Sequence, residues 1–198
     1  MTSVQEYELK KLFDHITQVL ENLSIPYMVV GGFAAIFYGE PRMTIDIDIV
    51  VDMEQKHVEP LVQAFAVPDF YISKEGVLDA LRRRYSFNII QSSTGAKIDM
   101  MPLPRDVYSR IAFRRRKRLP VDESGRGAFF IAPEDIVIAK LLAFRATGSD
   151  KHLRDARGVL QIQWDYLDFV VLRKTAETED VRELLDTLEQ SIQKDQDF

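Results

Sequence analysis

Near the start of the chain, Leu9, Leu12, Phe13, Ile16, Val19, Leu20 and Leu23 recur at intervals of three and four. That spacing puts them on one stripe and predicts an amphipathic helix, which Ser24-Ile25-Pro26 ends. The apolar run Tyr27 to Val30, the pair Gly31-Gly32 and the run Phe33 to Tyr38 read as strand, tight turn and short helix, broken by Gly39-Glu40-Pro41-Arg42. The period then changes to two. Ile45, Ile47, Ile49 and Val51 alternate with Asp46, Asp48, Val50 and Asp52, so the segment predicts a strand with one apolar face and two neighbouring carboxylates on the other.

Glu54 to Phe65 and Glu75 to Arg84 carry helical patterns. Ser86 to Gln91 and Ala96 to Met101 read as strands joined through Ser92-Ser93-Thr94-Gly95, which places Asp99 inside a strand. A helix near Asp106 to Phe113 and extended stretches at Lys117 to Val121 and Ala128 to Ile131 follow. From Pro133 onward the pattern is helical, opened by Pro133-Glu134-Asp135 and ending in a stripe of Val181, Leu184, Leu185, Leu188 and Ile192. The expected organisation is an α/β core over residues 1–132, a short mixed sheet flanked by helices, with a C-terminal helical segment over 133–198 packed on it.

Composition narrows the chemistry. The 198 residues include no cysteine and three histidines, His15, His57 and His152, which lack ligand spacing. A bound metal would therefore be held by carboxylates, which favours a hard ion such as magnesium or manganese. The net charge of −5 hides an asymmetry, because twelve cations face four acids between Lys74 and Arg118. Such a basic stretch suits a polyphosphate or nucleic acid, and also suits a solvated surface. No run approaches a membrane span and no basic leader precedes an apolar one, so the expectation is a cytoplasmic protein.

Two unit charges about 4 Å apart repel by about 4 kcal/mol at an effective dielectric of about 20. Asp46 and Asp48 therefore call for a compensating cation or ample water. A divalent ion meets that need, and Gly31-Gly32 before a short helix offers a backbone that a phosphate can approach closely. Taken singly, a Gly-Gly pair is more often just a turn and an Asp-x-Asp more often a solvated face. Their combination, in this order and with a third carboxylate on a later strand, is much more specific.

Val30-Gly31-Gly32, a spacer, Asp46-Ile47-Asp48-Ile49 and Ile98-Asp99-Met100 resemble the signature of the DNA polymerase β nucleotidyltransferase superfamily. Gly39-Glu40-Pro41-Arg42-Met43-Thr44 is similar to the Gly-x-x-Arg-x-Thr lead-in of stand-alone bacterial members, including AbiEii-type toxin enzymes. Pro133-Glu134-Asp135, Lys140 and Leu153-Arg154-Asp155 are similar to their helical half. The resemblance implies a polymerase β-like fold in which Asp46 and Asp48 ligate two magnesium or manganese ions and Asp99 ligates the one that activates the acceptor. It also implies that Gly31 and Gly32 hold the triphosphate of an NTP. Gly32 stands where many relatives have Ser.

The implied reaction is transfer of a nucleoside monophosphate to RNA, a protein hydroxyl or a small molecule, with the arginines tilting the expectation toward RNA. Lys140, among apolar neighbours, reads as a phosphate contact or as a lysine snorkelling to water. Arg42 and Thr44 read equally as substrate contacts or loop residues. Asp155 reads as a structural helix partner. The rival is a member without turnover: a nucleotide sensor, an RNA binder, or a protein partner in a toxin and antitoxin pair. A structural calcium site would leave Gly31-Gly32 unexplained.

Overall fold

The computed structural model describes residues 3–41, 44, 46–122 and 125–196. In chain order the elements begin with α1 (Ser3–Asn22), β1 (Tyr27–Val30), α2 (Gly31–Tyr38), β2 (Asp46–Val51), α3 (Val58–Ala64), β3 (Phe70–Tyr71) and α4 (Lys74–Arg83). They continue with β4 (Phe87–Gln91), β5 (Lys97–Pro102), α5 (Val107–Arg115), β6 (Lys117–Pro120), β7 (Gly127–Phe130), α6 (Pro133–Thr147), α7 (Asp150–Gln163), α8 (Phe169–Thr178) and α9 (Arg182–Gln196). The chain divides into two compact units, Met1–Val30 with Met43–Phe130, and Gly31–Arg42 with Ile131–Phe198.

The first unit holds a mixed seven-stranded sheet in the order β3-β4-β5-β2-β1-β7-β6. β2 pairs in parallel with β5 and β1 with β7, while the remaining neighbours are antiparallel. The alternation read in β2 holds over its described residues, with Ile47, Ile49 and Val51 fully buried, while Ile45 lies outside them. The stripe on α1 is buried as well, and Ile16 and Leu20, both 0% exposed, each contribute about 1.5–3 kcal/mol of apolar burial. Tyr27 ties three elements together, because its hydroxyl donates to Glu21 at 3.0 Å and accepts from the Phe129 amide at 3.4 Å. His15 packs between Phe65 and Phe70, with ring centroids at 5.0 and 5.5 Å, in keeping with a histidine outside any ligand set. Arg126 joins the end of the β6–β7 hairpin to α1 through Asp14 and Thr17.

The second unit is helical. α6 starts with Pro133 in its first turn and ends at Gly148, whose φ of 67° closes the helix in the left-handed region. Glu134 accepts from the Asp168 amide at 2.9 Å, and Asp168 in turn caps α8 by accepting from Val170 and Val171 at 3.0 Å. Gly39 sits where α2 meets α7: a Cβ there would lie 2.8 Å from the Ala35 oxygen and 3.0 Å from the Val159 nitrogen. The lead-in glycine is therefore fixed by helix packing.

Three local features differ from the sequence reading. Gly31-Gly32 is no separate turn, since α2 starts at Gly31 itself, whose φ of 65° lets the chain pass from strand to helix without a linker. The helix expected from Glu54 begins as a 3-10 turn over Gln55–His57, where the Glu54 amide donates to His57 Nδ1 at 3.0 Å. The two-residue strand β3 was not foreseen, because a piece that short has no period to read. No helix among the described residues is long and apolar enough to cross a membrane.

Candidate active site

The parallel register of β2 and β5 sets Asp48 beside Asp99 and Asp46 beside Lys97. Register partners share a face, so Asp46, Asp48, Lys97 and Asp99 all point to one side, opposite the buried Ile47, Ile49, Ile98 and Met100. On β4, Asn88 is the register partner of Asp99, and on β1, Val30 is the partner of Asp48. Three carboxylates, one lysine and one amide thus form a polar patch over an apolar floor. Neighbouring strands lie about 4.8 Å apart, and two carboxylates at about 5 Å repel by about 3 kcal/mol at a dielectric of about 20. A fold that tolerates this repulsion keeps positive charge nearby.

Lys97 supplies that charge. Its ammonium lies 2.9 Å from Asp99 Oδ2, with the two side chains 34% and 24% exposed. The hydrogen bond to Asp99 holds the Lys97 ammonium above its ordinary pKa against partial desolvation, and the charges of Asp99, Asp46 and Asp48 add to it. With its amide nitrogen turned toward β5, Asn88 donates to Asp99 Oδ1 at 2.5 Å. Both oxygens of Asp99 are thereby engaged. Among the described residues no three acidic or histidine side chains are drawn together as a ready ligand set. The donor types still suit a hard divalent ion, and the Lys97 ammonium marks where this face holds a cation.

The other residues singled out from the sequence fall as follows. Gly31 has positive φ and Gly32 is buried, both at the start of α2. The Thr44 hydroxyl donates to the Asp46 carbonyl at 3.4 Å, a contact that fixes the approach to β2. Arg42 lies outside the described residues. In the helical unit, the Lys140 ammonium lies 2.7 Å from Asp155 Oδ2, and both side chains are almost wholly buried. Lys140 therefore reaches an anion rather than snorkelling, and that anion is Asp155. Lys97 and Asn88 were missed in the sequence. The signals were present: Lys97 stands two residues before Asp99 on the same strand face, and a hairpin through residues 92–95 brings Asn88 alongside.

At the far end of β2, Asp52 lines a hollow of about 230 Å³ with Arg84, Leu103, Arg110, Phe113 and Arg114. Arg84 donates to the Leu103 carbonyl at 3.2 Å. Arg110 and Arg114 are one helical turn apart on α5 and are thus like-charged neighbours. Nearby, the Arg116 guanidinium lies over the Phe113 ring at 4.3 Å, and burial lowers its pKa.

Comparison with known proteins identifies the fold. A solution structure of the antibiotic-resistance factor ANT(2'')-Ia shares 14% identity at a TM-score of 0.56, covering 99% of this chain and 98% of that one. A crystal structure of ANT(2")-Ia in complex with adenylyl-2"-tobramycin shares 16% identity at a TM-score of 0.51, covering 93% and 97%. An antigenic nucleotidyltransferase-like protein from Paracoccidioides brasiliensis shares 20% identity at a TM-score of 0.50, covering 77% and 74%. At these identities the likeness carries the fold alone. A search of curated proteins finds no match. The model of one family, described as a nucleotidyltransferase of unknown function (DUF6036), matches residues 7–195, and the chain belongs to that nucleotidyltransferase family.

Proposed function

We propose that this nucleotidyltransferase moves a nucleoside monophosphate from an NTP to a hydroxyl acceptor, with divalent metal held by Asp46, Asp48 and Asp99. The observation that carries this reading is the register of β2 on β5, which sets the third carboxylate directly beside the second on one sheet face. A bond forms between the acceptor oxygen and the α-phosphorus, the bond from that phosphorus to the pyrophosphate oxygen breaks, and the hydroxyl proton passes to solvent water. When bound, magnesium or manganese supplies charge neutralisation on the phosphates and a lowered acceptor pKa. Asp46 and Asp48 would hold both ions, and Asp99 would hold the one that serves the acceptor. Gly31 and Gly32 present backbone to the triphosphate. Lys140 is taken up by Asp155 inside the helical unit, and Arg42 and Thr44 stand as candidate substrate contacts.

For the acceptor, the hollow of Arg84, Arg110 and Arg114 favours a polyanion, and hence RNA over a polycationic small molecule. Asp52 offsets only one of those three charges. The AbiEii-type lead-in and the helical half support a toxin-type enzyme working in the cytoplasm, where NTPs and magnesium are abundant. A protein partner that masks the acidic face would complete a toxin and antitoxin pair.

The test supplies each α-labelled NTP with magnesium or manganese to total RNA, protein and small-molecule acceptors. The expected result is label in RNA, abolished by chelator and by Asp46→Asn with Asp48→Asn. Tight NTP binding without transfer to any acceptor would replace the enzyme with a nucleotide sensor. Label in protein or in small molecules would move the acceptor class and leave the chemistry intact.

A further inference from the structure

The acidic face holds a feature that ligation by Asp99 does not explain. Both Asp99 oxygens are already taken, Oδ2 by the Lys97 ammonium at 2.9 Å and Oδ1 by the Asn88 amide at 2.5 Å. The two partners differ in kind. Asn88 is neutral and suits a second partner that steadies a ligating carboxylate from behind. Lys97 is a cation, and a divalent ion brought to the same carboxylates would repel it. Its place in the sheet sharpens the conflict, because Lys97 is the register partner of Asp46 while it bonds Asp99 two residues along its own strand. It thus stands between the first and third carboxylates.

We propose that Lys97 is a built-in counter-cation: its ammonium neutralises the acidic face in the metal-free protein and is displaced when a divalent ion enters. This rests on the reading that Asp46, Asp48 and Asp99 hold metal, and it assigns Lys97 the task of setting how tightly they do so. The side chain is suited to leaving. Lysine is a compact point charge on a flexible stem, and at 34% exposure its head group borders water. Asn88 stays on Oδ1 and keeps Asp99 pointed at the incoming ion. Lys97 is a positioning residue here. It makes the metal-free face tolerable and renders metal uptake an exchange of one cation for another.

Manganese binding, read from the signal of free ion by electron paramagnetic resonance in the absence of nucleotide, tests this directly. Removing a unit charge about 5 Å from a divalent ion near water is expected to tighten binding by roughly tenfold. Lys97→Met and Lys97→Gln should both show that tightening, and Lys97→Arg should stay close to the parent. In chelator both neutral variants should melt earlier than the parent, and manganese should close the gap. Unchanged or weaker manganese binding in both neutral variants overturns the role of Lys97, provided the parent binds manganese and loses it with Asp48→Asn. If the parent binds no manganese, or binds it independently of Asp48, the reading of the acidic face fails first and the inference about Lys97 falls with it.

Discussion

Among the described residues, two lysine–aspartate pairs of nearly equal length differ sharply in burial. Lys140 and Asp155 join α6 to α7 in the helical unit at 2.7 Å, with side chains only 7% and 4% exposed. Lys97 and Asp99 sit on one strand of the sheet at 2.9 Å, but at 34% and 24% exposure. Separating the first pair would strand a charge in apolar surroundings, with Ile136, Val137 and Leu141 buried on the same helix. Separating the second returns each charge to water or to an incoming ion. Contact distance is almost the same in the two, so exposure decides which pair is a fastener and which is exchangeable.

The largest expected effect breaks the fastener. Asp155→Ala should cost about 3–5 kcal/mol, because it leaves Lys140 charged and unpaired. Urea unfolding measures it. Replacing both partners, Lys140→Met with Asp155→Leu, should recover most of that loss, since an apolar pair carries no desolvation penalty. A double variant as unstable as the single one would show that the pair is not the source.

Next comes the strand-to-helix junction. Gly31→Ala places a side chain at φ 65°, which costs about 1–2 kcal/mol of backbone strain. Thermal melting should register it, and NTP affinity measured by calorimetry should fall with it if this backbone meets the phosphates. Affinity equal to the parent in a folded Gly31→Ala or Gly32→Val protein would remove Gly31 and Gly32 from the binding site.

The smallest effect on stability belongs to the exchangeable pair. Lys97→Met should change unfolding free energy by less than about 1 kcal/mol, as for other part-exposed ion pairs. A loss matching that of Asp155→Ala would erase the distinction between the two lysines.

The secondary elements were largely legible because each has a period. The stripe on α1, the alternation of β2 over its described residues and most of the final stripe, Val181, Leu185, Leu188 and Ile192 but not the half-buried Leu184, are buried as their patterns nominate. What the patterns could not show was pairing. Nothing in the sequence dictates that β2 lies parallel to β5, and only that register sets Asp48 beside Asp99. For the same reason Lys97 and Asn88 escaped notice, since each matters through its neighbours on the sheet rather than through its own motif. Nor does hydrophobic spacing show that α2 belongs with the C-terminal helices. That grouping depends on Gly39 and Gly158 letting backbones meet, a property of small residues that a hydrophobicity pattern does not record. The partner of Lys140 was equally hidden, since a lysine amid apolar neighbours reads as a phosphate contact or as one snorkelling to water, and the carboxylate it meets is Asp155.

Asp99→Asn is the decisive substitution for the acidic face, because it keeps size while removing the charge proposed to serve the acceptor side. Single-turnover transfer from labelled NTP should be compared with NTP binding by calorimetry on the same protein. The expected result is a fall in transfer of about a hundredfold or more with nucleotide affinity within a few-fold of the parent, the mark of an interaction made in the transition state. Transfer at the parent rate in Asp99→Asn would contradict a catalytic role for this face.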